Sequence, residues 1–178
     1  WLQGRTDAVE AVFHLGAISS TVEADADLIV ASNFRLTMRL WQWCAERRVP
    51  LVYASSAAVY GDGGQGFADT GDAQSLATLQ PLNAYGWSKL LTDRRIAALV
   101  AAGAPKPPQW AGLRFFNVYG PNEYHKGGQR SLVPQLHAQI LAEGRARLFR
   151  SYRPDYADGG QLRDFVWVDD VVAVMLWL

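Results

Sequence analysis

The chain has 178 residues, 49% hydrophobic, 12% aromatic and 19% charged, which is enough apolar material for one packed core or one core and part of a second, and too little charge for a disordered chain. Its 17 basic and 17 acidic residues cancel, which argues against nucleic acid or an anionic membrane as the main partner. The longest apolar run, residues 171–178, is far short of the ~20 residues of a membrane span, and one cysteine, Cys44, with three dispersed histidines, His14, His125 and His137, excludes an internal disulfide and a structural zinc site.

Residues 8–15 form a short apolar stretch ending at Gly16-Ala17, the pattern of a buried strand running into a loop. The sequence starts at Trp1 in mid-pattern, which reads as a piece of a longer protein. Over residues 24–47 the apolar positions Leu28, Ile29, Leu36, Leu40, Trp43 and Cys44 recur at helix spacing. Residues 50–55 read as a second strand, residues 61–81 as irregular, and Asn83 as the cap of a helix running to about residue 102. A third strand is expected over residues 109–116, followed by a loop at 117–126. Residues 132–143 read as a helix with Pro134 in its first turn. Residues 145–149 and 165–168 are short strand candidates, and Asp169-Asp170 opens a last apolar helix with acidic groups at its positive end. Strands alternating with helices of this length predict a parallel sheet flanked by helices, in which ligands bind outside the carboxyl ends of the strands. The loops to inspect are therefore 16–23, 55–61 and 117–126.

Tyr85-Gly-Trp-Ser-Lys89 places a phenol and an ammonium one helical turn apart on one face. A cation held beside a phenol favours the phenolate, the form that takes a proton from a hydroxyl. Lysine usage sharpens the signal. Of 17 basic residues only Lys89, Lys106 and Lys126 are lysine, and lysine, unlike arginine, carries protons near neutral pH once its affinity for them is lowered. Ser55-Ser56 puts hydroxyls at the carboxyl end of the second strand, where one can steer a substrate oxygen to Tyr85.

Ser56, Tyr85 and Lys89, with Phe13-His-Leu-Gly-Ala17 before them and Arg114-Phe-Phe-Asn-Val-Tyr-Gly-Pro121 after, resemble the sugar-nucleotide branch of the extended short-chain dehydrogenase/reductase superfamily. More narrowly, Gly16-Ala-Ile-Ser-Ser-Thr21, Tyr53-Ala-Ser-Ser-Ala-Ala-Val-Tyr-Gly61, Pro81-Leu-Asn-Ala-Tyr85 and Asn117-Val-Tyr-Gly-Pro-Asn-Glu-Tyr-His-Lys-Gly127 are similar to the ADP-L-glycero-D-manno-heptose 6-epimerase family. The resemblance implies a truncated Rossmann-like, doubly wound parallel α/β sheet. Residues 1–117 would be a partial NAD(P)-binding domain without its first βαβ unit and residues 118–178 a partial substrate-binding region. It implies an isomerase of lipopolysaccharide heptose biosynthesis, cytoplasmic and homo-oligomeric at full length, that oxidises C6 of ADP-heptose with NADP, or alternatively NAD, and returns the hydride to the other face.

By motif the resemblance makes Tyr85 and Lys126 the two acid/base groups, with Ser56 assisting and Lys89 holding the nicotinamide ribose. It places Leu15, Gly16, Ala17, Ile18, Ser19, Ser32, Asn33 and Val118 on the cofactor. Asn117, Gly128, Gln135, Phe149, Arg150, Ser151, Tyr152 and Arg163 fall on the nucleotide sugar; a guanidinium suits a diphosphate because it donates two parallel hydrogen bonds. The sequence departs from the family at three points: paired asparagines read Ser32-Asn33, and Gly128 and Gln135 stand where relatives can carry Ser and His. The alternatives are another sugar-nucleotide epimerase, such as a UDP-hexose 4-epimerase, and a non-catalytic Rossmann-type binding or scaffold protein. A 4,6-dehydratase fits less well, since Ala57-Ala58 replaces that branch's Asp-Glu pair.

Gly61-Asp-Gly-Gly-Gln-Gly66 has the spelling of a dinucleotide fingerprint but leads into Phe67-Ala-Asp-Thr-Gly71, which is no helix, and is read as a loop. His14 is read as a hydrogen-bonded interior histidine, and Trp41, Trp43 and Cys44 as a helix face packed on the sheet.

Overall fold

A computed structural model describes residues 9–178; Ala8, at the start of the first expected strand, lies outside the described residues. The chain divides into two compact units, Trp1–Phe115 and Phe116–Leu178.

In the first unit β1 (Val12–His14), β2 (Leu51–Ser56) and β3 (Trp110–Phe115) form a parallel sheet in the order β1-β2-β3. Val12 pairs with Leu51, and β2 pairs with β3 from Leu51↔Trp110 to Ser56↔Phe115. For parallel sequential neighbours the general right-handed crossover rule puts both helical connections on one face of the sheet. The core follows from this. Trp41 and Cys44 of α2 (Leu36–Arg47) and Ile96 of α4 (Ala84–Ala101) close on Leu51 and Tyr53 of β2, with Trp41 edge-on to Trp110 at 5.1 Å. Leu51 and Cys44 are fully buried and Ile96 is 1% exposed; burial of one such aliphatic side chain contributes about 1.5–3 kcal/mol. Burial also pushes the Cys44 thiol up to about 11.

The helical run expected over residues 24–47 is interrupted. Asp25 caps α1 (Ala26–Ile29), Val30–Arg35 is a π-helical turn, and α2 continues to Arg48, which takes the left-handed position (φ 56°) that usually falls to glycine. The segment expected to be irregular over residues 61–81 holds a short helix, α3 (Ala73–Thr78), capped by Asp72, whose carboxylate accepts the Gln74 and Ser75 amides. Asn83 caps α4 by accepting the Gly86 amide at 2.8 Å, as its sequence position predicts. Gly61-Asp-Gly-Gly-Gln-Gly66 enters no helix. Gly61 (φ 64°) faces the Gln80 carbonyl so closely that no Cβ fits.

In the second unit β4 (Asn117–Tyr119) pairs in parallel with β5 (Phe165–Trp167), Asn117 opposite Phe165. Residues 117–126, expected as loop, thus begin with a strand. A 3-10 stretch, Tyr124–Gln129, follows and is broken at Gly127 (φ 55°). The helices α5 (Leu132–Glu143) and α6 (Val168–Trp177) match their expected spans, with Asp169 and Asp170 in the first turn of α6. Residues 145–149 are not a strand. Leu148 and Phe149 are 58% and 60% exposed and no neighbouring strand takes their backbone groups, so alternation has no sheet to face. No described helix is long and apolar enough to cross a membrane, and no three metal-ligating side chains cluster among the described residues.

Candidate active site

The first unit gathers the expected chemistry at the carboxyl ends of β1 and β2. Ser56, the last residue of β2, is 8% exposed; its Oγ accepts the Ala58 amide at 3.1 Å and so starts the 3-10 turn Ala57–Tyr60. Gly86 lets the first turn of α4 lie against that turn. A Cβ there would stand 2.8 Å from the Ala58 carbonyl oxygen and 2.9 Å from Pro81 Cβ. On the same turn, half-buried Tyr85 lies beneath the Lys89 ammonium, whose Nζ is 5.9 Å from the ring centroid. Lys89 is 5% exposed and donates to the Ala54 carbonyl at 2.7 Å. Burial brings its ammonium down to about 8, against a smaller opposing pull from the Asp93 carboxylate.

A polar chain ties the loop after β1 to this helix. Asn33, on the π turn and 1% exposed, accepts the Ile18 amide at 2.8 Å through Oδ1, and its Nδ2 donates to the Ile18 carbonyl and to Ser88 Oγ, each at 3.0 Å. Ser88 donates to the Tyr85 carbonyl at 2.7 Å. The Thr37 hydroxyl donates to the Asn33 carbonyl at 2.6 Å, so the 2.9 Å contact with His14 has the imidazole Nε2 as donor. Burial and Lys89 hold His14 below its ordinary range. Asn33 therefore fixes the loop after β1 through both backbone groups of Ile18. In that loop Leu15, Gly16 and Ser19 are exposed, and Ala17 and Ile18 are half-buried, as is Ser32.

In the second unit, Lys126 lies in the 3-10 stretch with its side chain 47% exposed and its Nζ 3.7 Å from Glu123 Oε2. Glu123 is buried and accepts the Gly120 amide, the Ser131 amide and the Ser131 hydroxyl. Its burial raises the carboxyl, but these donors and Lys126 outweigh it and leave Glu123 below the usual carboxylate range. Asn117 donates to the Asp164 carbonyl at 2.9 Å and Gln135 to the Arg130 carbonyl at 2.6 Å. Val118 is half-buried in β4, whereas Gly128, Phe149, Arg150, Tyr152 (95% exposed) and Arg163 are exposed; the Ser151 amide donates to Asp158. A cleft of about 250 Å³ over residues 65–79 is lined by none of the candidate residues.

Sequence reasoning missed Asp93, Thr37, Ser88 and Glu123. Only Asp93 left a usable trace, since Tyr85, Lys89 and Asp93 are spaced four apart on one helix.

A model of the NAD dependent epimerase/dehydratase family matches residues 4–178. The chain belongs to that family. It is 51% identical over 170 residues to an ADP-L-glycero-D-manno-heptose-6-epimerase of Nitratidesulfovibrio vulgaris, covering 96% of this chain and 50% of the relative. Among solved structures it is similar to the Helicobacter pylori ADP-L-glycero-D-manno-heptose-6-epimerase, with 32% identity and a TM-score of 0.71 over 92% of this chain and 47% of that one. It is also similar to the Thermus thermophilus UDP-glucose 4-epimerase complex with NAD, with 26% identity and a TM-score of 0.68 over 95% and 52%. The chain spans about half the length of the curated relatives it matches. Parallel strands with helical crossovers and these likenesses establish the Rossmann-like α/β class.

Proposed function

We propose that the protein interconverts the C6 epimers of ADP-glycero-manno-heptose by transient oxidation and re-reduction, with NADP as the bound redox partner. The observation that carries the reading is the Lys89 ammonium against the Tyr85 ring beside the carboxyl end of β2, in a chain 51% identical to a heptose epimerase. In this reading residues 1–117 belong to the dinucleotide-binding part and residues 118–178 to the substrate-binding part.

The residues present suit a dinucleotide. One of the three Lys89 N–H donors is engaged by Ala54, leaving two for ribose hydroxyls, and the Ile18 loop is fixed by Asn33 on both of its backbone groups. The cofactor, when bound, supplies the acceptor and later the donor of the C6 hydride. The protein's own residues move the protons. Ser56 accepts from Ala58 and retains its O–H to donate to the sugar oxygen. As phenolate, Tyr85 takes the proton of the C6 hydroxyl as the C–H bond breaks. After the carbonyl turns, Lys126 gives a proton to the oxygen as the hydride returns to the other face. Solvent then restores both groups, and the reverse direction exchanges their roles.

Asn117, Val118, Gly128, Gln135, Phe149, Arg150, Ser151, Tyr152 and Arg163 belong, in this reading, to the nucleotide-sugar side, where Arg163 is free to meet the diphosphate. The test is to express the full coding sequence and incubate the product with ADP-D-glycero-D-manno-heptose, following the C6 epimer by NMR. Formation of the L-glycero epimer is expected. Turnover of UDP-galactose alone would favour a UDP-hexose 4-epimerase, and no turnover with no bound nicotinamide would favour a binding protein.

A further inference from the structure

One turn beyond Lys89, α4 carries Asp93, 7% exposed. Its Oδ1 accepts from the Tyr53 hydroxyl at 3.0 Å, its Oδ2 accepts from Ser55 Oγ at 2.7 Å, and Arg114 Nε stands 3.6 Å from Oδ2. The carbonyl between Tyr53 and Ser55 is that of Ala54, the acceptor for Lys89. Three consecutive residues of β2 therefore hold an ammonium and a carboxylate from the same face of one helix. A buried ammonium without a counter-charge sheds its proton, and a neutral amine beside Tyr85 no longer favours the phenolate. We propose that Asp93 is the positioning residue that keeps Lys89 in its ammonium form beside Tyr85, and that Tyr53 and Ser55 serve to hold that carboxylate in place. The inference rests on the reading of Tyr85 and Lys89 given above.

Among the described residues, Asp93 is the carboxylate that acts on Lys89. On α4 its ammonium lies over the Tyr85 ring and Asp93 follows one turn on, on β2 it bonds the Ala54 carbonyl, and on β1 it helps to hold His14 below its ordinary range. Asn33 on the π turn is an uncharged amide bonded to Ile18 and Ser88. Arg114 of β3 is the competing cation, sharing Asp93 and donating to the Tyr60 hydroxyl at 2.9 Å. Burial raises the Asp93 carboxyl above its ordinary value, its donors Ser55, Tyr53 and Arg114 opposing that rise, and Asp93 in turn opposes the loss of the Lys89 proton.

The test titrates Lys89 itself. The protein from the full coding sequence, carrying lysine labelled with 13C at Cε, is followed by NMR against pH, with the Lys89 signal assigned by its loss in Lys89→Met. Asp93→Asn keeps one acceptor and removes the charge. The expected result is a Lys89 midpoint lowered by about one pH unit, with the alkaline limb of kcat/KM displaced by the same amount. Arg114→Gln removes the competing cation and moves the midpoint the opposite way. A Lys89 midpoint that is unchanged or raised in Asp93→Asn overturns the proposal; if that variant does not fold, a midpoint not raised in Arg114→Gln does so. Because the titration needs no turnover, a lowered midpoint in a protein without epimerase activity would retire the functional reading and leave the assignment of Asp93 standing.

Discussion

Lys89→Met removes an ammonium that is 5% exposed and holds its proton only to about 8, against an ordinary value of 10.5. Below pH 8 the folded and unfolded chains both carry that proton, and the buried charge costs the fold about 3 kcal/mol relative to the neutral amine. Between pH 8 and 10.5 the unfolded chain still binds the proton while the folded one has lost it, so stability rises with pH. Integrated from pH 7 to pH 10, the contribution of Lys89 rises by about 2–3 kcal/mol. Methionine fills a similar volume without a charge and leaves the Ala54 carbonyl without its lysine donor, a loss of about 1–3 kcal/mol. The variant is therefore expected to be equal to the parent or up to about 2 kcal/mol more stable at pH 7, and to lose that advantage by pH 10. Urea unfolding of both proteins across this range gives the difference curve, in which titrating groups that do not interact with Lys89 cancel. The variant is also expected to be inactive as an epimerase. A difference curve flat with pH, or a variant several kcal/mol less stable at pH 7, would refute the picture of a costly charge retained for chemistry.

Asn33→Ala removes the groups that bond both backbone atoms of Ile18 and Ser88 Oγ; a loss of about 2–4 kcal/mol in chemical denaturation and a raised cofactor KM are expected. Gly86→Ala drives a methyl into the Ala58 carbonyl and Pro81, so thermal unfolding should show a loss of about 1–3 kcal/mol, with kcat falling as Tyr85 is displaced. Tyr85→Phe and Lys126→Met should each lower kcat about 10²–10⁴-fold with circular dichroism unchanged; near-normal turnover in Lys126→Met would end the two-sided proton scheme.

Much of the layered order was legible because it is local. Asn83 announces α4, and the strand of residues 51–56 is a continuous apolar run ending in two serines. Tyr85 and Lys89 could be paired in advance because helix geometry fixes their spacing. What escaped depends on partners distant in sequence. α3 has six residues, too few for a period to show. β4 exists because β5, about fifty residues later, pairs with it, while residues 145–149 have an alternating pattern and no partner strand among the described residues. The π turn at Val30–Arg35 leaves no mark in the hydrophobic pattern, yet it carries the Asn33 amide that holds Ile18. Asp93 shares a helix face with Tyr85 and Lys89, but its partners Tyr53, Ser55 and Arg114 come to it from two strands distant in sequence.

In the proposed reaction hydride leaves C6 and returns to the same carbon while Tyr85 and Lys126 move only hydroxyl protons. Incubating the protein from the full coding sequence with ADP-D-glycero-D-manno-heptose in deuterium oxide and recording the proton spectrum of the product tests it most directly. The account predicts the C6 epimer with its C6 hydrogen still protium. Deuterium at C6, or no epimer in the presence of NADP or NAD, would contradict it.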